Sequence, residues 1–293
     1  MNEPIHRAGF VNIIGNPNVG KSTLMNELVG EKISIITAKA QTTRHRIKGI
    51  VNGDDFQIVY SDLPGILTPA YKMQSKMMDF VQESLSDADV ILYLIECGET
   101  KYNEDIIHTL QHIDIPTILI INKIDKATTE QVAAASIYWQ TLLPKAEIVP
   151  ISALMEVNIQ HLMELIVQLL PECPPYFPKD DLTDRPLRFF VSEIIREKVL
   201  LLYQKEIPYS VEVVVESFKE EENIINIGVT LYVERDTQKG IILGRQGAAI
   251  KQLGSEARKD IEAFLDKHIF LDISVKVLKD WRNNDAVMRR FGY

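Results

Sequence analysis

Four short stretches of this 293-residue chain carry side chains that could do chemistry together. The first is Gly15-Asn16-Pro17-Asn18-Val19-Gly20-Lys21-Ser22, followed by Thr23. Its Gly-x4-Gly-Lys-Ser pattern suits a phosphate. The glycines let successive backbone N–H groups turn inward around phosphate oxygens, Lys21 adds charge at the β and γ positions, and the Ser22 hydroxyl can ligate Mg²⁺. An apolar run (10–15) precedes it and a helical stretch, TLMNELVG, follows, which is the setting such a loop requires. A chance glycine turn would lack the Lys-Ser pair and these flanks.

The second stretch, Asn122-Lys123-Ile124-Asp125, follows the apolar run TILII and selects the base. Asp125 can accept hydrogen bonds from guanine N1–H and N2–H₂, whereas adenine would leave that carboxylate unpaired. Asn122 and Lys123 would shape the base slot, and Ser152-Ala153-Leu154 would offer backbone contacts to the guanine oxygen. The third stretch, Asp62-Leu63-Pro64-Gly65-Ile66, closes another strand-like run. Asp62 is expected to reach Mg²⁺ through water, and the Gly65 N–H to meet the γ-phosphate. Between these motifs lies KAQTTRHRIK (39–48), whose Thr43, or its neighbour Thr42, would join Mg²⁺ when the γ-phosphate is present and order the loop. A solvated loop with incidental threonines is the bland alternative. Catalysis is expected from Lys21, Thr43, Asp62 and Gly65, with Ser22, Thr43 and Asp62 around the metal.

A fourth stretch, Ile242-Leu243-Gly244-Arg245-Gln246-Gly247, with Ile250, Lys251, Leu253 and Arg258 beyond it, has no Lys-Ser and no strand feeding it. It is not a second nucleotide loop. Small residues flanked by apolar core positions and by Arg245, Lys251, Arg258 and Lys259 suit close approach of a nucleic-acid backbone. A simple helix-connecting turn is the competing reading.

The elements that must hold these stretches alternate short apolar runs (10–15, 46–51, 56–62, 90–96, 117–122, 147–152) with amphipathic helical patterns such as Ile159, Leu162, Ile166, Leu169 and Leu170. This predicts a doubly wound, mostly parallel α/β sheet with sites at the strand ends. The alternation stops where five of the thirteen prolines fall between Pro171 and Pro186. Beyond, a helix (about 186–204), strands (209–218 and 223–234), the glycine loop, a helix carrying Ile250, Leu253, Ala257, Ile261 and Phe264, and a last strand (270–278) predict a second, α+β domain. The expected division is 1–172, a linker at 173–186, and 187–293.

Charge fits this division. Residues 239–293 hold eleven Lys/Arg and seven Asp/Glu, a balance of +4, so the first 238 carry −13 of the net −9. A protein coated in nucleic acid is excluded, and one localised polyanion site is not. Cys97 and Cys173 lack metal-ligand spacing and read as reduced thiols. The N-terminus lacks a secretory apolar region, and no run is long enough to span a membrane. A cytoplasmic location follows as an expectation.

The order of the nucleotide motifs resembles the translation-factor class of GTPases. Ile66 stands where Ras-like members carry a water-positioning glutamine, so slow hydrolysis is expected. Asn18 matches an asparagine with which potassium-activated relatives hold a monovalent cation, so K⁺ is expected beside it. The 242–253 pattern and its element order resemble a type II KH domain. Together GNPNVGKS, QTTRHR, DLPG, NKID and GRQG resemble the Era family over essentially the whole chain, with Leu63 where many members have threonine. The resemblance implies a GTPase acting in small ribosomal subunit assembly, binding the 3′ end of small-subunit ribosomal RNA and the 30S precursor through the KH domain. It also implies a monomer, with peripheral contact at the inner face of the membrane. The alternative is a regulatory switch GTPase, in cell division or membrane signalling, whose KH-like domain docks a protein. The tail, with Lys279, Trp281, Arg282, Arg289, Arg290, Phe291 and Tyr293, suits either RNA contact or packing on the KH body.

Overall fold

The computed structural model describes residues 6–293, so the first five residues of the expected N-terminal domain lie outside the described residues. The chain divides into two compact units. The first comprises residues up to 34, 43–69 and 77–184; the second comprises 35–42, 70–76 and 185–293.

In the first unit, β1 (Arg7–Gly15), β2 (Ile47–Asn52), β3 (Phe56–Asp62), β4 (Val90–Glu96), β5 (Thr117–Asn122) and β6 (Glu147–Pro150) form one sheet in the order β2-β3-β1-β4-β5-β6. All pairs are parallel except β2 with β3, because three residues join these two and such a connection permits only a hairpin. The helices are α1 (Lys21–Val29), α2 (Lys72–Ser86), α3 (Glu104–His112), α4 (Thr129–Leu142) and α5 (Ile159–Leu169). The central strands are apolar almost throughout since helices cover both faces, and β4 and β5 are buried along nearly their whole length. Of the stripe on α5, Leu162 and Ile166 are fully buried, with Leu170 just beyond the helix.

Residues 173–184, expected as a free linker, are strapped to this unit. The buried Gln57 side chain accepts from the N–H groups of Tyr176 (2.7 Å) and Phe177 (2.9 Å) and donates to the Phe177 carbonyl (2.8 Å). The Ile50 N–H donates to the Leu182 carbonyl (2.9 Å), and the Thr183 hydroxyl to the Lys48 carbonyl (2.7 Å). The proline-rich strap thus covers the open edge of β2, where unpaired backbone groups would otherwise invite another strand.

The second unit contains α6 (Leu187–Leu202), α7 (Ile207–Ser210), β7 (Glu212–Glu220), β8 (Ile225–Val233), α8 (Asp236–Leu243), α9 (Ala248–Leu265), β9 (Ile269–Val277) and α10 (Asp285–Arg290). β8 pairs antiparallel with β7 and parallel with β9. The strand expected from 209 begins at 212, because Pro208 opens the short turn of helix at 207–210. Val191, Ile195, Val199, Leu231, Ile242, Leu253, Ala257 and Ile261 fill the core. Phe264, expected in that stripe, is 41% exposed and lies against Phe190, with ring centroids 5.7 Å apart. Segments 35–42 and 70–76 are fixed within this unit. Arg196, paired with Glu193, donates to the carbonyls of Gln41 and Thr42, and Tyr71 Oη donates to Gln41 Oε1 (3.0 Å).

Candidate nucleotide and nucleic-acid sites

β1 delivers the chain to Gly15, and α1 begins at Lys21. Between them the loop closes through Gly20, whose φ of 103° favours glycine. A β-carbon there would also stand 2.4 Å from Asn122 Nδ2. No side chain caps α1, so its first N–H groups and its positive end serve the loop. Lys21 is buried, and its Nζ donates to the carbonyls of Gly15 (3.0 Å) and Asn16 (2.8 Å). Burial pushes its ammonium down to about 8, with the Asp62 and Glu99 carboxylates opposing the shift.

Three oxygen-bearing side chains from separate segments converge beside it. Ser22 Oγ donates to Asp62 Oδ2 (2.7 Å), Thr43 Oγ1 donates to the same oxygen (3.1 Å), and the two hydroxyls are 3.0 Å apart. Asp62 Oδ1 is buried and has no hydrogen-bond partner. Burial raises the Asp62 pKa, against the pull of Lys21 and the hydroxyls of Ser22, Ser34 and Thr43. An all-oxygen set holding an unpartnered carboxylate oxygen suits a hard divalent cation, and Mg²⁺ fits it. Of the two candidate threonines, Thr43 is the one brought here. Thr42 Oγ1 instead donates to the Lys39 carbonyl (2.6 Å) and meets Thr37 Oγ1 (2.7 Å).

Leu63 is fully buried, and Ile66 sits in the core while its N–H donates to the Gly15 carbonyl (3.1 Å). Ile66 therefore anchors the 62–66 segment to the phosphate loop. At the base slot, Asn122 Nδ2 donates to the Val19 carbonyl (2.8 Å), and its Oδ1 accepts from the Ala153 N–H (3.0 Å). One buried amide thus joins three motifs. Ser152 Oγ donates to Asp125 Oδ1 (2.6 Å), orienting that carboxylate. Lys123 Nζ donates to the Asn18 carbonyl (2.7 Å) and to Glu96 (2.6 Å). Leu154 is exposed, leaving only its backbone available to a base. Motif spacing gave no signal for Glu96 or Glu99; Glu99 accepts from Asn16 Nδ2 (2.7 Å). Arg46 of the QTTRHR stretch is structural. It binds Ser61 Oγ (3.0 Å), Asn12 Oδ1 (3.0 Å) and Asp87 beneath the sheet.

In the second unit Gly244 has φ 69° and ψ 178°, a region almost confined to glycine. A β-carbon there would meet the Ala249 Cβ at 2.6 Å and its backbone N at 2.9 Å. Gln246 and Gly247 are also left-handed, and nothing stands within 4 Å of where a β-carbon of Gly247 would lie. The loop opens into α9, an eighteen-residue helix whose N-terminus no side chain caps. Arg245, Gln246 and Lys251 are exposed around it. Ile242 is wholly buried, with Tyr203 Oη donating to its carbonyl (2.9 Å); it supports the loop from inside. Leu243 and Ile250 are half-buried against the core. Arg258 is bound to Glu262 (3.0 Å), which blunts its charge. The tail aromatics pack on the KH body. Trp281 is buried and donates to the Ser210 carbonyl (3.0 Å), Tyr293 Oη donates to Glu212 (3.0 Å), and Phe291 lies against Tyr232. Arg282 pairs with Glu234.

A phosphate loop with a guanine-type base slot, and a helix–loop–helix of KH type, define a GTPase joined to a nucleic-acid-binding module. A family model described as "50S ribosome-binding GTPase" matches residues 10–123, and one described as "KH domain" matches 206–282. The GTPase Era of Geotalea daltonii is 46% identical over 296 residues, and that of Geotalea uraniireducens 45%; both alignments span all of both chains. A crystal structure of Era in complex with MgGDPNP and nucleotides 1506–1542 of 16S ribosomal RNA is 38% identical, with a TM-score of 0.93 over 98% of this chain and 99% of that one. Aquifex aeolicus Era bound to GDP·AlF4⁻ gives 0.92 at the same identity and coverage. The chain belongs to the Era family of GTPases.

Proposed function

We propose that the protein hydrolyses GTP and binds the 3′ end of small-subunit ribosomal RNA through its KH domain, acting in assembly of the small ribosomal subunit. The observation that carries this reading is the open Gly244–Gly247 loop with exposed Arg245 and Lys251, in a chain that matches over its full length an Era seen with 16S ribosomal RNA. Mg²⁺ is held by Ser22 and Thr43, with Asp62 beside it; when bound, it neutralises charge on the β- and γ-phosphates. Lys21 adds charge at the same phosphates, Gly65 offers its N–H to the γ-phosphate, and Asp125 reads guanine. With Ile66 in the core, no glutamine positions water, and hydrolysis is slow. K⁺ beside Asn18 raises the rate; equal hydrolysis in potassium and sodium buffers would contradict this.

Nucleotide and RNA are coupled through the 35–43 stretch. Arg196 holds the carbonyls of Gln41 and Thr42, and the next residue, Thr43, stands at Ser22 and Asp62. RNA affinity is therefore higher with a GTP analogue than with GDP, and identical affinities would refute the coupling. The protein acts as a cytoplasmic monomer with peripheral membrane contact. Among the described residues, no helix is long and apolar enough to cross a membrane. Co-sedimentation of the GTP-analogue-bound protein with purified ribosomal subunits tests the assignment. Binding to the small subunit is expected; binding to the large subunit alone, or to neither, would return the KH domain to a protein-docking role.

A further inference from the structure

Asn26 and Ser34 belong to none of the nucleotide motifs, yet they form one device. Asn26, on α1, donates from Nδ2 to the Ser34 carbonyl (2.9 Å) and accepts at Oδ1 from the N–H groups of Ile33 (3.1 Å) and Ser34 (2.9 Å). Three bonds to two adjacent residues fix the backbone at 33–34 against the phosphate-loop helix. Ser34 is 2% exposed, and its Oγ has no hydrogen-bond partner. A buried hydroxyl left unpartnered is unfavourable, so its placement needs a reason. The hydroxyl faces Asp62, whose Oδ1 is likewise buried and unpartnered while Oδ2 is taken by Ser22 and Thr43. Two orphaned polar atoms thus confront each other in the pocket that the metal would occupy.

We infer that Ser34 is a positioning residue of the Mg²⁺ site, fixed by Asn26 so that its hydroxyl orients the Asp62 carboxylate toward the ion and its water. The inference rests on the nucleotide–metal reading of that site. If serine were there only for its small size, alanine would replace it without consequence. Groups that orient metal-site carboxylates commonly govern metal affinity by about 10- to 100-fold.

The test is release of a fluorescent GDP from the full chain as Mg²⁺ is titrated, and again in excess chelator. For Ser34→Ala, the Mg²⁺ concentration that half-maximally slows release should rise about tenfold, while release in chelator stays within about twofold of wild type. Ser34→Cys, which keeps the volume but has a weak donor, should behave like alanine. An unchanged Mg²⁺ midpoint in both variants overturns the inference. So does equal acceleration with and without Mg²⁺, which would mean distortion of the phosphate loop. A wild type whose release ignores Mg²⁺ would overturn the nucleotide–metal reading itself.

Discussion

At Gly20 the backbone turns left-handed so that the loop can pass against the Asn122 amide, and the surrounding groups are buried: Lys21, Thr43, Asp62 and Asn122. At Gly244 the backbone is also confined to glycine, yet the residues that follow, Arg245 and Gln246, stand in solvent. The two loops use the same residue type for different ligands. A nucleotide is small and of fixed shape. Five segments far apart in sequence surround it, and charge and dipole are set in advance at the cost of burying Lys21. A nucleic-acid strand is long and enters from solvent, so its loop is an open ledge on one helix start, with charge left free to meet phosphates. Stability and ligand binding are therefore entangled at the first loop and largely separable at the second.

The largest expected effect is at the enclosed site. Lys21→Ala should weaken GTP and GDP binding by at least about 100-fold, since phosphate charge would face no partner. RNA binding by the nucleotide-free protein should stay within about twofold. Parallel nucleotide and RNA titrations check both halves, and loss of RNA binding would break the separation. Asp125→Asn should lower guanine nucleotide affinity by about 100-fold or more and shift preference toward xanthine nucleotides, read by competition. An unchanged preference would remove Asp125 from base recognition.

Both expectations rest on features legible in the sequence, because each nucleotide motif is a local run tied to the end of one element. Strand limits were also close: 56–62, 90–96 and 117–122 are as the apolar runs predicted. Long-range pairing was not legible. Gln57 bonds residues about 120 positions away, and no periodicity in either segment signals that the proline-rich stretch will strap the β2 edge. Arg46 looked like part of a basic switch loop and proved to be a buried cross-sheet tie. Its charge says nothing of the Asn12 and Asp87 waiting beneath the sheet. Arg258 read as RNA-facing charge, because helical spacing toward Glu262 went unweighed.

At the open loop the effects are smaller and depend on salt. Arg245→Glu with Lys251→Glu should reduce RNA affinity at least tenfold, with GTP binding unchanged. The dependence of log affinity on log salt should become shallower by about 1.4, the value for two single-strand phosphate contacts. An unaltered salt slope would mean that neither residue meets phosphate. The smallest effect is expected for Arg258→Ala, within about twofold for RNA, because its guanidinium is engaged by Glu262. A tenfold loss there would move the nucleic-acid path further along α9.

The most direct test of the central claim is a titration of fluorescent single-stranded RNA ending in the small-subunit ribosomal 3′ sequence, beside a scrambled strand, with the GTP analogue bound. Wild type and Gly244→Asp would be compared, and circular dichroism and nucleotide binding would verify that the variant is folded. The account predicts tight binding selective for the ribosomal sequence, lost in Gly244→Asp while GTP is retained. Equal weak binding of both strands, or selective binding that survives the substitution, would contradict it.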